Sequence, residues 1–338
     1  MAIIVNPSNV QIGLYVLCET STGICFTGSA RALKFNDSSP LWGGLAGFAS
    51  GGGPQPDAPA GINCIDRFPF ATTITSTCVG TLSSVRGLLG SQSSQTNGYT
   101  TSGYNWSTGF VAGNDKFPFS SPSNGVNIGN ISQTRYGSAG TSSTTNGYAS
   151  GGLIPGNTIS NYIDRFPFST DSGSTCISTL CAGRDTVAGH SSTVSGYTSG
   201  GRCVMPGTLS STIDKFPFST VSTSTGVGSL TAVRSGATGL SSSLNGYTVG
   251  GYSGPVTYTC IEKFPFATDA SSIVSGTTAC GLASQAGISS YSNGYTAGGN
   301  DGTTSFNHIR LISFVSDTNS VCVGTINRSI SNRGGHQD

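Results

Sequence analysis

The chain has 338 residues, including 50 glycines but only 15 basic and 14 acidic residues. A formal net charge of +1 gives no positive surface for nucleic acid or anionic lipid, so neither partner is expected. Disordered chains are usually highly charged and lack periodic apolar positions, which this chain has. We therefore expect a folded protein with a sizeable core. Because a net charge near zero favours association, we also expect it to work inside an assembly.

The N-terminal residues 1–45 differ from the rest of the chain. Met1–Pro7 has no basic segment, so no signal peptide is expected. An acidic residue interrupts the apolar stretch Ile12–Phe26, so membrane insertion is not expected either. We predict that Arg31–Phe35 supplies the first strand of the first repeat. Ile3–Phe26 is predicted either to close a ring of repeats or to contact a neighbouring subunit.

A hexapeptide containing Phe-Pro-Phe organises the remainder of the chain. It occurs six times, starting at residues 65, 114, 163, 213, 261 and 309. The sixth copy, Ile309–Phe314, has lost the proline and one phenylalanine. A fixed period of this length, rich in glycine and short apolar runs, is typical of β-propellers. The sequence therefore predicts an all-β, six-bladed β-propeller over residues 46–326 and a loosely held polar tail at residues 327–338.

Each repeat is predicted to form a blade of four antiparallel strands. Small residues after an arginine begin the first strand, and Asn-Gly, as at Asn146-Gly147, predicts the hairpin turn to the second. The second strand ends at a Gly-Gly pair, where we expect positive φ or a close backbone approach. The hexapeptide is the third strand and should end or bulge at its proline, which cannot donate to a central ladder. Its phenylalanines share one face and are expected to pack between neighbouring blades. Val-Gly-x-Leu marks the fourth strand.

Charged residues recur at fixed positions of the repeat. Most hexapeptides contain an acid followed by a base, and in four repeats an arginine follows sixteen residues after the last phenylalanine. The hexapeptide charges are Asp66, Arg67, Asp115, Lys116, Asp164, Arg165, Asp214, Lys215, Glu262 and Lys263, and the later arginines are Arg86, Arg135, Arg184 and Arg234. Charges repeated once per blade indicate structural ion pairs and backbone contacts between blades. The alternative is an arginine ring that binds a phosphate or carboxylate.

The segments between each Gly-Gly pair and its hexapeptide differ in every repeat. They are Pro54–Asn63, Tyr104–Gly113, Leu153–Tyr162, Arg202–Thr212, Tyr252–Cys260 and Asn300–His308. In a propeller such segments gather on one face, where functional residues are usually found. The predicted binding residues are their aromatic side chains, which could anchor protein or sugar partners: Trp106, Phe110, Tyr162, Tyr252, Tyr258 and Phe306. The alternative is that these side chains simply pack on one another.

No catalytic residue, metal or cofactor is predicted. The three histidines, at positions 190, 308 and 336, fall at unrelated positions of the repeat, and the scattered acids indicate no glycosidase pair. The ten cysteines show no metal-ligand spacing, and disulfides are left open. Five of them are interpreted as buried thiols in or beside strands: Cys64, Cys78, Cys176, Cys260 and Cys322. We therefore expect a protein that is not an enzyme, with an oxidase or glycosidase as the third alternative.

The order of these motifs resembles kelch repeats, in which Gly-Gly closes the second strand of each blade. The resemblance covers about residues 46–326, but Phe-Pro-Phe replaces the usual tryptophan, and Trp42 and Trp106 are out of register. Tyr-x-x-Gly-Gly combined with Ile-Asp-Lys-Phe-Pro-Phe and Gly/Ser/Thr-rich filler also resembles repeat proteins of tailed bacteriophages, notably marine ones. Such proteins are typically tail, fibre or other components of the virion.

These resemblances imply a structural virion protein of a tailed phage, associated with the tail or its fibres and made in the host cytoplasm. Its partners would be other virion proteins, copies of itself and host-surface carbohydrate. The alternative is a cytosolic kelch-type adaptor that binds a protein partner. The ligand, the copy number, the position on a particle and the face that binds stay open at this point.

Overall fold

The computed structural model describes residues 17–20, 23–26, 44–55, 57–70, 74–204, 207–220 and 222–338. The chain divides into two compact units, Met1–Pro40 and Leu41–Asp338. In the first unit, Leu17–Thr20 pairs antiparallel with Gly23–Phe26. The second unit contains six four-stranded antiparallel blades arranged as a β-propeller, which confirms the predicted fold class. None of the described residues belongs to a helix long and apolar enough to cross a membrane.

Each blade has an inner, a second, a third and an outer strand. From blade one to blade six, the inner strands are Gly334–Gln337, Gly90–Ser93, Ala139–Ser142, Ala188–Ser191, Thr238–Ser241 and Ala286–Ser289. The second strands are Ala46–Gly52, Asn97–Thr101, Asn146–Ser150, Ser195–Ser199, Asn245–Val249 and Asn293–Ala297. The third strands are Ile62–Pro69, Gly113–Pro118, Tyr162–Pro167, Thr212–Pro217, Cys260–Pro265 and His308–Ser313. The outer strands are Thr77–Thr81, Val126–Asn130, Thr175–Thr179, Thr225–Ser229, Ile273–Thr277 and Val321–Thr325, and Ile74–Thr75 pairs in parallel with the last of these. As predicted, the hexapeptide strand ends at its proline in five blades.

Blade one is built from both ends of the propeller unit. Its inner strand, Gly334–Gln337, pairs antiparallel with Ala46–Gly52 and so closes the ring. Residues 31–35, which were predicted for this position, lie outside the described residues. The tail at 327–338 is therefore not a loose appendage, and that prediction is corrected. The strand escaped prediction because an inner strand needs small residues rather than alternating apolar ones.

The core lies between neighbouring blades. The second-strand tyrosine of one blade stacks on the last phenylalanine of the next hexapeptide, with ring centroids 4.7 Å apart for Tyr99 and Phe168 and 4.8 Å apart for Tyr148 and Phe218. The predicted Asn-Gly hairpin turn is corrected: Asn146 and Gly147 are the first two residues of the second strand, and the turn lies at the two residues before them. Gly147 pairs with Phe166 of the third strand, and a Cβ on Gly147 would lie 2.3 Å from the Phe166 ring, which explains why this strand position keeps a glycine. The predicted packing of these phenylalanines between blades is confirmed.

A closed ring of backbone hydrogen bonds surrounds the axis at one end of the inner strands. One residue of each inter-blade linker donates its N–H to the carbonyl oxygen of the equivalent residue one blade earlier, at 2.7–3.0 Å. We call these six residues the axial backbone ring: Leu88, Gly137, Thr186, Gly236, Ser284 and Asn332. All six have φ between +49° and +69°, a region that costs about 1–2 kcal/mol for a residue with a Cβ. In this conformation each residue donates its N–H to the preceding member of the ring and accepts at its carbonyl oxygen from the following member.

A second closed ring joins the opposite ends of the inner strands. There the backbone N–H of each strand donates to the side-chain oxygen of the equivalent residue in the next blade, at 3.0–3.4 Å. The members are Ser93, Ser142, Ser191, Ser241, Ser289 and Gln337. Between the rings, a Cβ on Gly239 would lie 2.0 Å from the carbonyl oxygen of Gly189. The axis therefore has room for glycine but not for a larger residue.

The four repeated arginines form buried ion pairs with the acid of the following hexapeptide. Each arginine is at most 1% exposed. The pairs are Arg86–Asp115 at 2.9 Å, Arg135–Asp164 at 3.6 Å, Arg184–Asp214 at 2.5 Å, and Arg234–Glu262. The acid also accepts from the linker, as when Ser83 N–H donates to Asp115 Oδ2 at 2.7 Å. Each pair therefore fixes an inter-blade linker to the third strand that follows it.

The other charges of the hexapeptide also contact neighbouring elements. In blade one, Asp66 pairs at 2.5 Å with Arg333, which comes from the C-terminal linker. Three bases form part-exposed ion pairs with an acid of the next blade: Lys116–Asp171, Lys215–Asp269 and Lys263–Asp317. Arg67 lies 6.0 Å from the centre of the Phe48 ring, and Arg165 lies opposite Tyr148 in the sheet. The repeated charges thus hold blades and linkers together.

Deleting Gly334–Asp338 should open the ring, because it removes the inner strand of blade one. The second hydrogen-bonded ring then loses Gln337, and the axial backbone ring loses the strand that follows Asn332. We expect the truncated chain to lose its single cooperative thermal transition, measured by circular dichroism. The control is deletion of Met1–Pro40, which contains no strand of the six blades and should leave that transition in place. A C-terminally truncated chain that melts like the full chain would show that the ring is closed in another way.

The substitution Asp115→Asn should destabilise the protein by about 3–5 kcal/mol, because it leaves Arg86 buried without a counter-charge. The control, Lys116→Gln, breaks a part-exposed pair with Asp171 and should cost no more than about 1 kcal/mol. Urea unfolding of both variants measures the difference. Equal losses in the two variants would mean that the buried pair has no special role.

Candidate functional site

The segments between second and third strands lie at the same end of the blades as the inter-blade linkers. We call this end the loop face. Four of these segments form two-stranded hairpins: Tyr104–Asn105 with Gly109–Phe110, Leu153–Ile154 with Thr158–Ile159, Arg202–Val204 with Thr208–Leu209, and Tyr252–Ser253 with Val256–Thr257. The first residue of each hairpin bridges to the linker residue next to the axial backbone ring, as Tyr104 does to Gly87. Residues that begin the hairpins therefore lie around the axis.

Two of the predicted aromatic residues belong to a cluster. Trp106 and Phe110 both contact Tyr104, with centroids 5.6 Å and 5.5 Å from its ring. Tyr136, from the next linker, lies 5.1 Å from Tyr104 and 5.3 Å from Phe110. All four side chains are half-buried, and Trp106 N–H also donates to Ala60 O in blade one at 3.2 Å. The cluster thus connects blades one, two and three and leaves part of each ring accessible.

The other four predicted aromatics do not join this cluster. Tyr162 is 38% exposed at the start of its third strand. Tyr258 packs under the guanidinium of Arg234 at 4.3 Å, and Phe306 stacks on His308 at 5.7 Å. Both therefore have packing partners, in agreement with the alternative that these side chains pack within the protein. Tyr252 begins a hairpin beside the axial backbone ring.

A charged pair continues the aromatic cluster around the axis. Arg202 donates to both carboxylate oxygens of Asp185, with Nε–Oδ1 3.0 Å and Nη2–Oδ2 2.5 Å. These hydrogen bonds raise the pKa of Arg202, and the charges of Tyr252 and Tyr136 act on it in the same direction. Burial, followed by the charge of Asp185, raises the pKa of Tyr136.

Together these five residues form what we call the loop-face belt: Tyr104, Tyr136, Asp185, Arg202 and Tyr252. In this belt, tyrosine rings lie beside the planar Arg202–Asp185 pair, which is joined by two hydrogen bonds. Such an arrangement suits contact with a sugar or a polypeptide. Sequence reasoning selected only Tyr252 of the five. A signal was present, since each belt residue directly follows either the glycine two residues after the second strand or the repeated arginine.

Two of the three histidines occupy equivalent positions, which corrects the prediction that all three are unrelated, and His308 begins a third strand instead. His190 and His336 are both the third residue of an inner strand, and Nδ1 of each lies 3.1 Å from a carbonyl oxygen of the next blade. Nε2 lies 2.9 Å from Ser199 Oγ and 2.8 Å from Ser50 Oγ, respectively. Burial lowers the pKa of both rings to about 4. They are core residues and have no access to a substrate.

The cysteine prediction also needs correction. Cys64 and Cys78 form a disulfide between the third and outer strands of blade one. Cys176 and Cys322 are exposed rather than buried, because they lie on outer strands. The sulfurs of Cys64 and Cys78 and a carboxylate oxygen of Asp66 lie within 4.8 Å of one another, a spacing that a metal ion would accept. The carboxylate is already bound to Arg333 and Asn327, however, and disulfide sulfurs are poor ligands.

Two cavities on the propeller axis, both lined by described residues, are too small for an organic ligand. These cavities, lined mainly by inner strands, have volumes of about 70 and 120 Å³. Small-molecule sites usually enclose about 300–1,000 Å³. A volume of this size holds a few water molecules.

Comparison with known proteins supports the fold and goes no further. No family model matches the chain, and no curated protein matches it. Among 178 matching chains of solved structures is one described as "Structure of YjhT". It is 13% identical, with a TM-score of 0.65, and the match covers 84% of this chain and 97% of that one. At this identity the similarity shows a shared propeller fold alone.

Stability should fall as the pH drops from about 6.5 to about 4, because His190 and His336 accept protons readily only when unfolded. Between these pH values both histidines are protonated in the unfolded state but not in the folded state. Together they then change the free energy of unfolding by about 3 kcal/mol per pH unit. The variant His190→Leu, which copies the equivalent Leu240, should remove about half of that slope in urea unfolding. His308→Gln is the control, since His308 is only half-buried. An unchanged slope in His190→Leu would contradict this assignment.

Proposed function

We propose that this propeller is a non-enzymatic structural protein of a tailed-phage virion, in or on the tail, that binds neighbouring subunits and host-surface carbohydrate. Support comes from the phage-like phrase of the repeat and from the way buried charges are used. Five arginines and five acids hold blades and linkers together, and two of the three histidines are enclosed in the core. These groups are therefore not available for catalysis.

The observation that best supports assembly is apolar exposure on the turn face, which is the end of the blades opposite the loop face. Leu45, Val194 and Leu244 occupy the same position, just before the second strand, in blades one, four and five. Their side chains are 74%, 66% and 71% exposed. Val315, which follows the third strand of blade six at this end, is 82% exposed. Exposed apolar residues at one end of four successive blades favour a protein contact, and a neighbouring subunit would cover them.

The loop-face belt is the proposed contact for carbohydrate. Tyrosine and tryptophan rings offer apolar faces for sugar rings, and the Arg202–Asp185 pair offers polar atoms held in one plane. Two different binding surfaces at opposite ends of the blades suit a subunit that contacts the particle on one side and a target on the other.

Mass spectrometry of banded virus particles tests this function. We expect the wild-type chain in stoichiometric amount, and at least about a tenfold lower amount of the variant Leu45→Ser/Val194→Ser/Leu244→Ser, because interface centres dominate binding. The control is Val233→Ser/Val256→Ser, which alters exposed apolar residues of a linker and a hairpin on the loop face and should be incorporated normally. Absence of the wild-type chain from particles would contradict the virion role and favour the cytosolic adaptor.

The carbohydrate contact is tested separately within the same experiment. Particles containing Tyr104→Ala/Tyr136→Ala should assemble normally, since these residues lie on the loop face, but should bind host cells less well. Normal attachment by such particles would contradict a carbohydrate role for the belt and leave the structural role intact.

A further inference from the structure

The third strand of blade six reverses the charge pattern of the other blades. The position that holds a buried acid in blades one to five holds Arg310, which is 5% exposed. Arg310 lies opposite Thr296, as Glu262 lies opposite Thr248 in blade five. The linker position that supplies an arginine in four repeats holds the fully buried Leu282. Blade six therefore replaces both members of the usual ion pair.

The polar contacts of Arg310 provide no carboxylate. Its Nη2 donates to Cys280 Sγ at 3.3 Å and lies 3.5 Å from His308 Nδ1. Within the described part of the chain, every ion pair involves other residues. Arginine keeps its proton in proteins, and a buried charge is costly unless it is paired. The position therefore favours an anion that the described residues do not supply.

The other blades show which anion fits such a position. In blade two, the carboxylate of Asp115 accepts from the backbone N–H of Ser83 at 2.7 Å and from the guanidinium of Arg86 at 2.9 Å. The residue equivalent to Ser83 in the linker to blade six is Ala279. Arginine has no acceptor atom, so Arg310 cannot take the place of the acid toward that N–H. A carboxylate between Ala279 and Arg310 would restore the pattern of two donors around one acid.

Two residues connect this position to the loop face. His308 begins the third strand, and Phe306 lies in the segment before it, with the two rings stacked at 5.7 Å and an interplanar angle of 22°. Both are half-buried. A ligand whose carboxylate reaches Arg310 would therefore pass these rings and keep the rest of its structure near the surface.

We propose that blade six binds a small carboxylate ligand through the guanidinium of Arg310 and the backbone N–H of Ala279, with His308 and Phe306 at the entrance. The site is independent of the virion role, because it depends only on a departure from the repeat within one blade. It also differs from the loop-face belt in chemistry, since it recognises one negative charge rather than ring faces.

Thermal unfolding of the full chain in sodium acetate tests the proposal. Acetate should raise the melting temperature in a saturable manner, and at about ten times Kd it should lower the unfolding equilibrium constant about elevenfold. Acetamide has the same shape without the charge, and sodium chloride matches the ionic strength, so neither should have this effect. Acetate that acts no more strongly than sodium chloride would overturn the proposal.

Three variants test whether Arg310 is responsible for the acetate-induced rise in melting temperature. Arg310→Gln should abolish the acetate response. The double variant Leu282→Arg/Arg310→Asp restores the ion pair of the other blades, so it should fold and yet not respond, because it supplies its own carboxylate. Arg328→Gln is the matched control, since Arg328 is 50% exposed and paired with Asp57, and it should respond like the wild type. An acetate response that persists in the double variant would also overturn the proposal.

Discussion

Six inner strands meet around one axis, and the rest of the structure depends on how closely they approach. A Cβ on Gly140 or Gly335 would lie 2.0 Å from a backbone oxygen of the strand beside it, so these positions stay glycine. On either side of these glycines, the axial backbone ring and the ring of Ser and Gln side chains close the circle of hydrogen bonds. A closed ring has no terminal member, and every blade must be present before it forms. The C-terminal strand Gly334–Gln337 is therefore essential to the fold, although it is short and polar.

The buried ion pairs follow the same geometry, and their exceptions are informative. Ile330 occupies the linker position of the repeated arginine at the junction between the first and last blades, and Arg333, three residues later, pairs with Asp66 instead. In blade six, Leu282 and Arg310 have changed together. Because an unpaired buried charge costs several kcal/mol, one partner cannot be lost alone without compensation. A buried arginine that lacks an acid among the described residues therefore points to an acid from elsewhere.

Repetition made much of the fold predictable, and the residues that occur once were not. Blade number, strand order and the contact of Tyr99 with Phe168 all follow from a pattern present in most repeats. The equivalence of His190 and His336 was hidden, because the arginine that precedes His190 by six residues is replaced by Ile330 before His336. The cluster containing Tyr104 and Tyr136 was not predicted, although each residue follows a repeated glycine or arginine, since residues from different repeats become neighbours only when the blades assemble.

Native-state hydrogen exchange of the axial backbone ring tests ring closure most directly. The amides are those of Leu88, Gly137, Thr186, Gly236, Ser284 and Asn332. If the ring is closed by the C-terminal strand, all six should exchange only through global unfolding, with the same free energy and the same dependence on denaturant. Exchange of Leu88 and Asn332 at a much lower free energy than Thr186 would show that the junction opens locally, which contradicts a closed ring.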